Sequence, residues 1–380
     1  MQARTIVVEH EYVDGDYLDD FASYYVKCFK PYDRLCNRVH FFSQSFDEDR
    51  FLKVLKKQLT DGSEEKISKS YLGFAVARPL PDAIIGRTLL RTYPHDGRRF
   101  YTAIRSNSIN LFGIPLELDS LAYQEQDTVM AACATVALWC CFQKTGVLFQ
   151  HSVPTPAAIT RAANQVADDR RPLPSHGLRI AQICNAVKYV GLEPEVIPVS
   201  KSSPLASLLY GYLRFGVPVV MVVEIEKQGF HAVTLTGYSL RSVPQGPRET
   251  IGPKRFLPMV GRRIDEFYAH DDQVGPFARL PIIRPSEDPR CPISFEGWKD
   301  PKTGKARDFL PRAVVVPVYG KVRLTFTDIQ KWLERLTNIL RLLIGSATSM
   351  DSTCRTPWRP IPDISSIRKA LRCCVPCSHR

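Results

Sequence analysis

Apolar positions along the chain change their rhythm twice. In the first third, Phe51, Leu52, Val54, Leu55 and Leu59 recur at helical spacing with lysines opposite, which predicts a helix from Asp47 to Leu59. Thr5-Ile-Val-Val reads as a strand. Tyr71 to Leu80 runs β-forming residues into Arg78-Pro79 and then Ile84 to Leu90, a strand, turn and strand. From Asp119 helices come first and strands afterwards. Met130 to Gln143 is apolar all round, which predicts a buried central helix. Pro156 to Gln165, Leu178 to Val190 and Leu205 to Arg214 read as further helices, and the second of these meets Gly191, a residue suited to a left-handed cap. Strands are expected at Val217 to Glu224, His231 to Gly237 and Glu266 to Ala269. Beyond a proline-rich stretch to Pro292 come a strand at Ala313 to Val318 and a helix at Asp328 to Leu343. Thr327 and Gln330 stand at capping-box spacing before that helix.

These changes divide the chain into an α+β segment of unknown role at 1–118, a central segment at 119–285 and a strand and helix extension at 286–345. The rest, 346–380, turns to Ser, Pro, Thr and Arg and is expected to be disordered. No internal repeat is found.

Composition narrows the classes. With 380 residues, 44% of them hydrophobic, the chain can bury a sizeable core. No run approaches the roughly 18 apolar residues of a membrane-spanning helix, and the acidic N-terminus does not read as a secretion signal, so a cytoplasmic location is expected. The 11 cysteines are odd in number and scattered, which reads as free thiols in a reducing compartment. The net charge of +12 is spread among acidic residues, and no motif of the RNA- or DNA-binding modules appears, so no nucleic-acid partner is expected.

The chemistry concentrates in the central segment. Cys133 lies near the start of the apolar helix, where unpaired N–H groups and the helix dipole favour a thiolate. Just upstream, Gln124 and Gln126 offer side-chain amides for a developing oxyanion. A thiolate hydrolase also needs a base from elsewhere in the chain. His231 heads a strand in Gly229-Phe-His-Ala-Val-Thr-Leu-Thr-Gly-Tyr, and Asp271 or Asp272 follows in the next strand to orient the imidazole. The order along the chain is Gln, Cys, His, Asp.

Three stretches carry a resemblance: Gln126 to Leu138, Gly216-Val-Pro-Val-Val with His231-Ala-Val-Thr-Leu-Thr-Gly-Tyr, and Ala269-His-Asp-Asp-Gln-Val-Gly. Together they resemble the papain-like cysteine peptidase superfamily, in particular its bacterial C39-like branch, over roughly residues 119–280. The resemblance implies an α+β, papain-like fold with the cysteine helix packed on an antiparallel sheet, preceded here by an N-terminal α+β domain. It implies a peptidase acting on a peptide or protein substrate, with Cys133, His231 and Asp271 as triad, Gln126 in the oxyanion hole, Asp272 as the alternative carboxylate, and neither cofactor nor metal. Two departures stand out: Cys133 is flanked by alanines, and Gln126 lies one residue further from the cysteine than the family's glutamine. The same triad would also serve acyl or amide transfer of the transglutaminase or deamidase kind. A silent module that binds peptides or partner proteins is a third reading.

Other conspicuous residues have plainer explanations. Cys140 and Cys141 lie two turns into the helix and read as core. His270-Asp271-Asp272 lacks spaced partners for zinc. The tail's Cys373-Cys-Val-Pro-Cys-Ser-His has one Cys-x-x-Cys spacing and no second pair, and its ending does not suit prenylation. Arg78 and Arg87 read as braces of a turn or an interface.

Overall fold

The computed structural model describes residues 2–59, 61–127, 132–165, 177–225, 229–244, 260–299, 306–322 and 324–348. Its first layer is built from β1 (Thr5–Tyr12), α1 (Gly15–Ser23), β2 (Cys36–Phe42), α2 (Glu48–Leu55), α3 (Ser63–Lys69), β3 (Tyr71–Ala77) and β4 (Ile85–Leu90). The four strands pair antiparallel in the order β1-β2-β3-β4. α2 is capped by the Asp47 side chain and buries Phe51 and Val54, the face its spacing predicts. It stops at Leu55, four residues short of the expected end, and Lys57 just beyond has a positive φ. α1 has no counterpart in the sequence reading. Asp14 caps it, and Arg87 of β4 reaches Asp16 at 2.7 Å. Arg78 donates to the carbonyls of Ala83 and Glu125, so both arginines act as braces.

The strand β5 (Arg99–Phe100) leads to a hairpin of β6 (Arg105–Leu111) and β7 (Ile114–Ser120). Phe112 and Gly113 both have positive φ, as a two-residue primed turn requires. Alternate residues are buried on both strands. A helical layer follows: α4 (Cys133–Phe149), α5 (Pro156–Ala163) and α6 (Ile180–Tyr189).

The remaining elements are β8 (Leu192–Pro198), α7 (Leu205–Arg214), β9 (Val219–Ile225), β10 (Gly229–Leu240), β11 (Ile264–Asp271), β12 (Gly275–Ile283), β13 (Ser294–Lys299), β14 (Ala306–Tyr319) and α8 (Phe326–Thr348). The sheet order is β11-β12-β13-β14-β9-β10, and β10 pairs back onto β11. Six antiparallel strands therefore close into a barrel, with β5 added to β10 and β8 to β14.

This closure overturns the papain-like fold class expected from the sequence, which had the cysteine helix packed on an antiparallel sheet. An open sheet ending at β9 and β12 would leave two rows of unpaired backbone groups. β13 and β14 bridge those edges. β14 runs for 14 residues, and a register shift between Pro311 and Ala313 bends it, so that it pairs with β13, β9 and β8.

The barrel wall is buried on both sides. Met221, Val223, Val233, Leu235, Phe267 and Ala269 belong to the barrel's own core, whereas Val220 and Ala232 join the core beneath α4. Burial on both faces explains why β9 reads as an unbroken apolar run.

By contact the chain forms one unit through Ile329 and a second that begins at Gln330 within α8. The cap of α8 is Thr325, not Thr327: Asp328 N–H donates to Thr325 Oγ1, and Asp328 Oδ2 accepts from the Thr325 hydroxyl in return. Among the described residues no helix is long and apolar enough to cross a membrane. Beyond residue 348 the expected disordered tail, with Cys354, Cys373, Cys374 and Cys377, lies outside the described residues.

The addition of β5 depends on a single missing side chain. A Cβ on Gly237 would stand 2.4 Å from the Phe100 carbonyl oxygen. Backbone must move to admit it, so Gly237→Ala should lower stability by about 1–3 kcal/mol. Urea unfolding measures this, and an unchanged midpoint would count against the close β5–β10 approach.

Candidate active site

The helix α4 begins at Cys133, and its cap residue Ala132 makes no side-chain cap bond. Its first-turn N–H groups are therefore left for another acceptor. Cys133 is half-buried, while Ala134 through Gln143 are buried throughout. The helix is held against the barrel wall by the Thr234 hydroxyl of β10, which donates to the Ala137 carbonyl, and by Cys141, whose thiol faces the Pro218 carbonyl at 3.8 Å.

His231 stands where β10 begins, and Asp271 where β11 ends. Antiparallel pairing brings those two ends to the same mouth of the barrel. His231 shares strand parity with Val233 and Leu235, and Asp271 with Ala269 and Phe267, so both point inward. The imidazole meets the Phe309 ring edge at 6.0 Å.

From these positions the side chains converge. His231 Nε2 lies 3.1 Å from Asp271 Oδ1, and the Cys133 thiol stands near enough to the imidazole to help raise its pKa. Asp271 Oδ1 also accepts the Gln273 backbone N–H at 3.0 Å, which fixes the carboxylate. Asp272 reaches the same Nε2 at 3.4 Å. Of the two carboxylates, Asp271 is the closer and the better anchored, although both touch the imidazole. His231 is 4% exposed, Asp271 0% and Asp272 4%, so the thiol is the accessible member of the group.

Burial alone would push His231 down. Its hydrogen bonds to Asp271 and Cys133, with the charges of both aspartates, override that and raise it well above the usual imidazole range. Asp272 is raised by burial and by the charge of Asp271, and the imidazole only partly offsets this. His270 is a different case. Burial drives it down to about 3, and its ring lies between those of Tyr123 and Phe277, away from the group.

Neither a protein-family model nor a curated protein matches this chain. The site must be read from its own geometry.

The glutamine stretch passes close by. Tyr123 bridges to Thr88 of β4, and its hydroxyl donates to the Asp272 carbonyl at 3.3 Å. Gln126 is half-exposed, two residues before the undescribed 128–131. Gln124 is 2% exposed, and among the described residues its Nε2 has no hydrogen-bond partner, so its amide is a free buried donor. Cys140 and Cys141 are fully buried, and burial holds both thiols above their usual range. The double contact of Asp271 and Asp272 with one imidazole had only a faint sequence signal, the Asp-Asp pair itself.

A half-exposed thiol beside a buried imidazole differs from a core cysteine. At limiting alkylating reagent and neutral pH, Cys133 should label at least about tenfold ahead of Cys140 and Cys141, and His231→Ala should remove most of its nucleophilic advantage. Peptide mass spectrometry reads the ratio. Equal labelling of Cys133 with and without His231 would mean that the contact has no chemical effect.

Proposed function

We propose that the protein is a cysteine hydrolase, with peptide bonds as its leading substrate. The observation that carries this reading is the convergence of a half-exposed thiol at a helix start, a buried imidazole beside it, and a carboxylate hydrogen-bonded to that imidazole's Nε2.

In this mechanism the Cys133 thiolate attacks a carbonyl carbon and the C=O π pair moves onto oxygen. The first-turn N–H groups of α4 and a glutamine amide hold that oxyanion. The His231 imidazolium then protonates the leaving amine as the C–N bond breaks, leaving a thioester on Cys133. Water, deprotonated by the now neutral His231, cleaves the thioester and releases the acid. Asp271 keeps the ring turned throughout. Between the two glutamines, the buried free amide of Gln124 supports it as a donor alongside Gln126. No cofactor enters these steps.

The resemblance to C39-like peptidases supports this reading through three stretches of sequence, and the barrel forms no part of it. The seven described cysteines are free thiols, which supports a reducing, cytoplasmic setting.

Turnover of a quenched peptide library tests the proposal. Cys133→Ala should abolish cleavage, and Asp271→Asn should lower kcat by about 10²–10⁴ through loss of the oriented base. Cleavage that survives Cys133→Ala would refute the assignment. Amine incorporation outpacing hydrolysis would move the protein to acyl transfer, and a selectively alkylated Cys133 with no turnover would point to a peptide-binding module.

A further inference from the structure

One carboxylate oxygen is enough to orient an imidazole. This site has two aspartates on a single nitrogen. Among the described residues, Asp271 Oδ2 and both Asp272 oxygens are buried with no hydrogen-bond donor, Asp272 Oδ1 lying 3.4 Å from His231 Nε2. Carboxylate oxygens taken out of water without donors are costly to the fold. The imidazole of His231 thus faces two buried carboxylates, Asp271 at 3.1 Å and Asp272 at 3.4 Å.

The spacing suits a cation. His231 Nε2 and one oxygen from each aspartate lie within 4.8 Å of one another. A tetrahedral zinc ion with N and O ligands at about 2.0–2.1 Å has ligand-to-ligand edges of about 3.3–3.4 Å. The measured edges from Nε2 are 3.1 Å to Asp271 and 3.4 Å to Asp272. The sequence argued against zinc because His270-Asp271-Asp272 is a poor local ligand run. The fold turns His270 away and supplies His231 from the neighbouring strand.

We propose that His231, Asp271 and Asp272 form a three-ligand site for a divalent zinc-class metal, and that the filled site silences the hydrolase. Binding gives the Nε2 lone pair to the metal, and a proton carried on Nε2 leaves to solvent. The metal-held imidazole can no longer shuttle protons for Cys133. This regulation rests on the hydrolase reading for its consequence, whereas the metal site itself does not.

The test titrates zinc alone into the 380-residue chain against a chromophoric chelator, with Cys354, Cys373, Cys374 and Cys377 changed to Ser so that tail thiols do not compete. One zinc per chain is expected, retained in Cys133→Ser and weakened at least about 100-fold in Asp272→Asn and His231→Ala, with melting curves showing each variant folded. Should those variants fail to fold, cobalt(II) on the tail-substituted chain gives a second readout. Tetrahedral d–d bands without a thiolate charge-transfer band are expected. Equal zinc affinity in Asp272→Asn, or a strong thiolate band, overturns the site. Zinc that binds as expected but leaves Cys133 alkylation unchanged overturns the silencing. A chain that binds zinc and cleaves nothing keeps the site and loses the hydrolase reading; one that cleaves and ignores zinc does the reverse.

Discussion

Strand β10 is the constraint on which the site depends. It pairs with β9 on one side and β11 on the other, closing the barrel, and its outer face receives α4. Side chains alternate along a strand, so a slip of one residue in the β9–β10 register would turn His231 outward and set Thr234 into the barrel core. Because both faces are buried, such a slip would misplace apolar and polar groups together. The same packing that stabilises the barrel therefore fixes where the imidazole stands relative to the thiol.

Within that frame, burial is distributed unevenly. Cys133 keeps access to solvent, while His231, Asp271 and Asp272 sit inside the barrel mouth. Low solvent access strengthens the attraction between the imidazole and the carboxylates, so the ring gains more from its neighbours than burial takes away. His270 shows the opposite balance. It has comparable burial and aromatic neighbours, and its charged form is suppressed. Two histidines near one pair of aspartates are thus shifted in opposite directions, each by the face of the sheet it occupies.

Local pattern made much of this visible in the sequence. Leu205–Arg214 was readable to the residue, because its apolar spacing ends cleanly before Gly216. The order of Cys133, His231 and Asp271 was readable from three short stretches that the fold brings to one place. The barrel was not readable, for a physical reason. β12 carries Pro276 and Pro281, and β14 carries Pro311, so their apolar alternation is broken where the strands bend. Closure also depends on pairings between segments far apart in the chain, and no local period records those. α1 was missed because its buried face includes Asp20, a residue that periodicity counts as polar surface.

The stretch from Leu121 to Asp127 ties the first sheet to the barrel mouth. Tyr123 exchanges backbone bonds with Thr88 at the edge of β4, Glu125 N–H donates to the Ile85 carbonyl, and Arg78 holds the Glu125 carbonyl. One side chain of this stretch reaches the backbone of Asp272, and another leaves a buried amide free. Glutamine and carboxylates therefore hang from different sheets, joined by a segment that is hydrogen-bonded at both ends. The half-exposed thiol thus stands on the helix, the imidazole in the barrel mouth and the buried Gln124 amide on the segment bonded to the edge of the first sheet.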